Sequence, residues 1–484
     1  MEVLSVIWPH LAGALTILIS LVASGHAILF KRDMRSASGW FALIWLAPVV
    51  GALLYLFLGI NRIERRAEAL LAHRPTLRAP RDPRESNFPG LDEVIGDSDR
   101  HLFDLVRVAD EITRHPLTRG NRVDPLFGGD EAYPAMLEMI DGAKRSITLC
   151  SYIFDNDEAG AAFLEALKSA HARGVAVRVL VDSVGSRYSF PTMITLMRRA
   201  GIEAARFLPT LLPWRMPYLN LRNHRKCLVV DGRIAFTGGM NIRVDHWLSK
   251  NPKRPTLDVH FRIEGPVVSQ LQIAFIEDWA FTTGERLEGA DWLAIDLAEG
   301  SGPVVARAVV DGPDGNPDKL RWILFGALSA ARRSVRVMTP YFLPDQTLIS
   351  ELCLASMRGV QVDVILPSDG NLRAVQWAST AQLWQVLAGG CRIHLSPPPF
   401  EHTKLMVVDE TWVFLGSANW DPRSLRLNFE LNVEAYGRGL AARMAEYFDH
   451  RANESRLLSK AEVDGRSVPV RLRDGFCRLF APYL

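Results

Sequence analysis

The chain has 484 residues, 48% of them hydrophobic and 23% charged, with 56 Lys and Arg against 54 Asp and Glu. This composition excludes a disordered or collagen-like chain. The net charge of +2 excludes holding nucleic acid by bulk charge and leaves only a local basic patch for such a role.

Mean hydropathy is +0.05, high for a soluble protein, and the excess sits at the N-terminus. Residues 3–30 contain no Asp, Glu, Lys or Arg, and residues 38–60 form a second charge-free run. Each is long enough to cross a hydrocarbon core of about 30 Å. Trp8, Trp40, Trp45 and Tyr55 offer interfacial anchors, and Pro48 is expected to kink the second span. A cleaved signal peptide fits poorly, because Glu2 and no basic residue precede the run and a second span follows at once. The expectation is a two-helix transmembrane hairpin over residues 1–60. Lys31, Arg32 and Arg35 lie between the spans, and Arg62, Arg65 and Arg66 after them, so charge does not fix the orientation. Residues 61–119 read as a juxtamembrane linker and helix, with Arg74, Arg78, Arg81 and Arg84 interleaved with Pro75, Pro80, Pro83 and Pro89.

The remainder is duplicated, and two domains are expected over residues 120–300 and 301–484. Residues 143–154 resemble 331–342, and 173–180 resemble 358–365, in the same order. Each half alternates helix and strand patterns, which implies α/β units with helices on mixed sheets, related by a pseudo-twofold axis. A third correspondence carries chemistry. His224, Lys226, Asp231 and Asn241 recur as His402, Lys404, Asp409 and Asn419, each displaced by 178 residues.

In each copy His and Lys, two apart, open a strand-like apolar run and so share a face. Twofold pairing would bring two imidazoles and two ammonium groups into one cleft. Such a cleft suits a phosphate ester: the lysines and asparagines neutralise the non-bridging oxygens, one His attacks phosphorus, and the other moves protons. The scheme needs no metal or other cofactor. Asp231 and Asp409 complete the motifs and stand with the candidate catalytic residues, but each precedes a turn, which favours a structural role over proton transfer.

These pairs resemble the paired HKD motifs of the phospholipase D superfamily, over the chain from about residue 120 onward. The runs 218–226, 260–266, Asp278-Trp279 and 419–424, with the N-terminal hairpin, resemble bacterial cardiolipin synthases. The resemblance implies transfer of a phosphatidyl group between two phosphatidylglycerols through a covalent phosphohistidine, giving cardiolipin and glycerol. By that similarity His224 is the nucleophile and His402 the general acid/base, though the residues alone do not separate the two roles. Lys226, Lys404, Asn241 and Asn419 match the phosphate-binding set. Ser417 matches the serine of the Gly-Ser-x-Asn signature, and Gly239 leaves its counterpart without a hydroxyl. Glu430 matches the acid that orients a catalytic His, and Asp258 is its counterpart, six residues further from its own motif.

The implied setting is a bacterial inner membrane, multi-pass, with phosphatidylglycerol and membrane lipids as partners and no nucleic acid. Five cysteines, an odd number, favour a cytoplasmic catalytic part. The apolar, proline-rich residues 207–218 suit a loop at the bilayer surface. Hydrolysis to phosphatidic acid and use of phosphatidylethanolamine remain as alternatives, and the oligomeric state stays open between monomer and homodimer.

Overall fold

The computed structural model describes residues 2–31, 34–59, 91–113, 115–209, 221–293, 302–312 and 318–481. The Arg/Pro stretch between Arg62 and Pro89 and most of the apolar 207–218 run lie outside the described residues.

The chain forms two compact units. In the N-terminal unit a helix runs over Glu2–Phe30, and residues 7–30 are long and apolar enough to cross a membrane. The second apolar run is not one helix. Pro48 disfavours helical backbone at the residue before it, and Ala47 sits at φ −138°, ψ 73°. The run therefore divides into helices Met34–Leu46 and Pro48–Leu54, followed by a π turn over Tyr55–Gly59. These pieces pack through Ala27, Ile44 and Tyr55. Leu11, Leu15, Leu18 and Val22 stay exposed on the long helix.

The larger unit holds the duplication. Its strands, in chain order, are β1 (Thr118–Gly120), β2 (Arg122–Phe127), β3 (Ser146–Ser151), β4 (Ala176–Asp182), β5 (Glu203–Phe207), β6 (Cys227–Val230), β7 (Ile234–Gly238), β8 (Thr256–Leu257) and β9 (Val259–Glu264). They continue as β10 (Gly302–Asp311), β11 (Ser334–Met338), β12 (Gln361–Pro367), β13 (Arg392–Ser396), β14 (Phe400–Glu401), β15 (Leu405–Val408), β16 (Trp412–Gly416), β17 (Glu430–Tyr436) and β18 (Arg456–Leu458).

The first sheet has the order β2-β9-β7-β6-β3-β4-β5. The second repeats it as β10-β17-β16-β15-β11-β12-β13, with β1 and β18 added at its edges. In both, three strands are parallel and the others antiparallel. Helices Glu158–Ala172 and Gln346–Met357 make the parallel crossovers, as parallel pairing requires. Central strands β6 and β15 are buried along their whole length, which explains their unbroken apolar runs. A shared core joins the halves, with Val229 and Phe261 of the first against Val407, Val413 and Val433 of the second. Leu91, Leu102 and Leu105, from the segment read as linker and helix, pack into the second half's core.

Candidate active site

Each motif histidine lies just before a buried central strand, where the chain enters the seam between the halves. The His224 amide donates to the Phe429 carbonyl at 2.9 Å, and the His402 amide donates to the Leu257 carbonyl at 2.8 Å. Phe429 and Leu257 immediately precede Glu430 and Asp258. Each histidine is therefore docked beside the carboxylate of the opposite half. His224 Nδ1 lies 3.0 and 3.1 Å from the two Glu430 oxygens, and His402 Nδ1 lies 2.8 Å from Asp258 Oδ2. The sequence reading matched each carboxylate to the motif of its own half; the pairing is crossed.

The two carboxylates are held differently. Glu430 accepts from Ser417 Oγ at 2.5 Å and from Asn428 Nδ2 at 3.3 Å. Asp258 accepts from the Val259 amide at 2.8 Å. A side chain at Gly239 would displace Asp258, since its Cβ would stand 2.5 Å from Asp258 Oδ2. Burial raises the Glu430 carboxyl, but His224, Lys226 and Ser417 outweigh it and hold it below the usual range. Burial drives Asp258 up to about 8 despite Lys404. Burial lowers His224 to about 4, with Glu430 opposing, and pushes His402 well below the usual imidazole value, with Lys404 adding to it.

Lys226 and Lys404 fold back onto their own histidines. Lys226 Nζ donates to the His224 carbonyl at 2.6 Å, and Lys404 Nζ to that of His402 at 2.5 Å. Lys404 Nζ also lies 3.0 Å from His402 Nδ1. Burial brings Lys226 down to about 7 and Lys404 to about 8. His402 feels the charge of Lys226 and of His224, so both motifs share one electrostatic site.

Asn241 and Asn419 are buried. Asn241 Oδ1 accepts from the Ile153 amide at 3.0 Å, and Asn419 Nδ2 donates to Ser424 Oγ at 3.3 Å. Asp231 and Asp409, grouped above with the catalytic set, brace the backbone. Asp231 accepts from the amides of Lys144, Arg145 and Ser146, and Asp409 from those of Arg332, Arg333 and Ser334. Both have positive φ (53° and 52°), a conformation these bonds hold in place. His101 Nε2 adds a 2.6 Å contact to Asp409. The two aspartates thus pin the β6–β7 and β15–β16 turns to β3 and β11.

Several site residues were not singled out from sequence. The Tyr152 ring meets the His224 ring edge-on, with centroids 5.3 Å apart. Arg225 forms a buried 2.7 Å ion pair with Asp278 and donates to the carbonyls of Glu430 and Asp311, tying the halves behind His224. Its place inside the motif, next to the apolar run, was the available signal. His246 is buried with its Nδ1 unpartnered, 6.0 Å ring to ring from His402. Among the described residues, His246, Asp258 and His402 bring one ligand-type atom each within 4.8 Å of one another. Lys404 beside His402 disfavours a cation there.

Two copies of one mixed-sheet unit, with His-x-Lys pairs meeting at their seam and each His backed by a carboxylate, define an enzyme of the phospholipase D type. The family described as "Cardiolipin synthase, PLD-like domain" matches residues 136–279 and 324–452, and the "Phospholipase D-nuclease N-terminal" family matches 18–59. A cardiolipin synthase of Geobacillus kaustophilus is 30% identical over 98% of this chain and 94% of its own length. Cardiolipin synthase 1 of Staphylococcus epidermidis is 30% identical over 96% of each chain. A phosphatidylserine synthase structure from Haemophilus influenzae shares the fold, with a TM-score of 0.62 at 15% identity, covering 78% of this chain and all of its own. The chain belongs to the phospholipase D-like cardiolipin synthase family.

Proposed function

We infer that this protein is a cardiolipin synthase that moves a phosphatidyl group from one phosphatidylglycerol to the glycerol hydroxyl of another, releasing glycerol. The observation that carries the reading is the crossed pair of His–carboxylate dyads flanked by two lysines. Near-full-length relatives named cardiolipin synthase support it.

The proton positions support a division of labour. Ionised Glu430 requires the proton of His224 on Nδ1, leaving the Nε2 lone pair to attack phosphorus. His402 Nδ1 faces two donors, the Lys404 ammonium and a protonated Asp258, so its proton sits on Nε2, ready for the leaving oxygen. In the first step the His224 N–P bond forms, the P–O bond to glycerol breaks, and His402 gives its Nε2 proton to that oxygen as its Nδ1 takes the proton of Asp258. In the second, His402 Nε2 takes the proton of the incoming hydroxyl as Nδ1 returns one to Asp258, the new P–O bond forms and the N–P bond breaks. Lys226, Lys404, Asn241 and Asn419 hold the phosphoryl oxygens as their charge develops.

Residues 1–60 form the membrane anchor as a two-helix hairpin, the second arm being the two short apolar helices in series. The catalytic unit lies on the cytoplasmic side, a reading supported by five free thiols.

Purified protein given labelled phosphatidylglycerol is expected to yield cardiolipin and glycerol, and His224→Ala or His402→Ala to abolish both. Phosphatidic acid without cardiolipin would overturn the transferase reading in favour of hydrolysis. Turnover of phosphorus-labelled phosphatidylglycerol quenched in alkaline denaturant should leave the label on the peptide containing His224. Ethanolamine release on adding phosphatidylethanolamine would show a second donor.

A further inference from the structure

The last helix, Val468–Leu479, is turned inside out. A helix on a globular surface normally buries its apolar stripe and exposes its charges. This one buries Asp474, whose carboxylate is met by Arg466 and by Arg473 at 2.7 Å. Its inner side also presents Cys477, and Ala481 beyond its end, to the small cluster of Leu343, Val375 and Ala378. Val468, Leu472, Phe476 and Leu479, spaced by four, four and three, point outward as one stripe. Leu472, Phe476 and Leu479 are 69%, 62% and 74% exposed. Phe480 extends the stripe, its ring 5.2 Å from that of Phe476.

The charges along this stripe are of one sign. The helix's single acid is buried and neutralised by Arg466 and Arg473, which leaves Arg471 and Arg478 as the charges beside the stripe. Arg473 is stacked 4.1 Å over Trp377. Arg471 and Arg478 line a groove of about 560 Å³ beside the helix, where Trp384 adds an aromatic wall and Asp464 is the one acidic residue. An exposed apolar stripe of this kind marks an interaction surface. A basic rim around it fits the headgroup–acyl boundary of an anionic bilayer, into which an interfacial helix sinks its apolar face.

We propose that the helix Val468–Leu479 is a docking surface for anionic bilayer lipid, its apolar stripe sunk below headgroups held by Arg471 and Arg478. This surface is separate from the catalytic residues, and the proposal stands apart from the reaction assigned above. Each arginine is expected to strengthen the contact by roughly fivefold.

The test is amide hydrogen exchange across residues 468–480 of the full-length protein in nanodiscs. One set contains phosphatidylcholine alone, and two others add phosphatidylglycerol or phosphatidylserine. Exchange is expected to slow at least tenfold in both anionic discs relative to the neutral ones. The Arg471→Glu/Arg478→Glu variant should lose that slowing while keeping its turnover in detergent. Equal exchange in neutral and anionic discs would overturn the proposal. So would slowing confined to phosphatidylglycerol, which would tie it to substrate. Protection in detergent that grows with protein concentration would overturn it as well, by showing that a second copy covers the face.

Discussion

Replacing Ser417 by Ala should narrow, from the acid side, the pH range in which His224 is able to attack, without touching it. The Ser417 hydroxyl donates to Glu430 Oε2 at 2.5 Å and is one of the groups holding that carboxyl ionised inside the protein. A hydrogen bond to a charged group contributes about 1.5–3 kcal/mol, and about 1.4 kcal/mol is tenfold in a protonation equilibrium. The variant's Glu430 should thus take up a proton roughly one to two pH units earlier on acidification. Once protonated, Glu430 no longer fixes the Nδ1 proton of His224, and Nε2 loses its lone pair to the other tautomer. The assay is the pH profile of kcat/KM for cardiolipin formation, which reports groups of the free enzyme. The acid limb should move up and the alkaline limb should stay. Ser417 Oγ also accepts from the Leu431 amide at 3.0 Å, so a modest loss of thermal stability should accompany the shift. An unmoved acid limb, or a uniform drop in rate at every pH, would refute the reasoning.

Other outcomes follow from the same geometry. The wild-type kcat/KM profile should be bell-shaped. Activity rises as His224, near 4, becomes neutral, and falls above pH 7–8 as Lys226, Lys404 and Asp258 lose protons; a profile still rising at pH 9 would contradict this. Gly239→Ala should push Asp258 off His402, because the added Cβ meets Asp258 Oδ2 at 2.5 Å. Its kcat should fall toward the roughly 10²–10⁴-fold loss expected when a positioned acid/base is misplaced, with phosphatidylglycerol binding retained. Asp409→Ala should act on folding instead. It leaves three amides without their acceptor, at about 1–3 kcal/mol for each buried group, so thermal unfolding in detergent should shift strongly while turnover per folded molecule holds.

Much of this was legible in the sequence because it is local. The apolar runs Cys227–Val230 and Leu405–Val408 are central strands, and the offset of 178 residues corresponds to two sheets with the same strand order. The crossing of the dyads was not legible, because it arises from how the halves dock. Asp258 and Glu430 stand at the starts of β9 and β17, and the chain beside each belongs to the other half, through the β8–β14 pairing and the Asn223–Phe429 bridge. The division of the second apolar run was only half legible. Pro48 announced a bend, but whether a helix bends or stops depends on the dihedral angles of Ala47.

The sharpest difference between the two halves lies in the six extra residues between the first motif and Asp258. In the second half the corresponding stretch is shorter, and Ser424 there meets Asn419. In the first half the longer stretch coils into two short turns, Val244–His246 and Leu248–Lys250, and the first of them delivers His246 to the dyad of His402 and Asp258. The same half has Gly239 in place of the serine and Asp258 in place of the glutamate. All three differences act on one dyad and in one direction. They remove a hydroxyl donor, shorten the carboxylate and set a buried imidazole beside its histidine, and Asp258 holds its proton to about pH 8 while Glu430 gives its own up. A symmetric duplication would place two identical histidines in the cleft, each equally fit to attack or to protonate. One step of phosphatidyl transfer needs one of each, and the asymmetry sits in the residues behind the histidines.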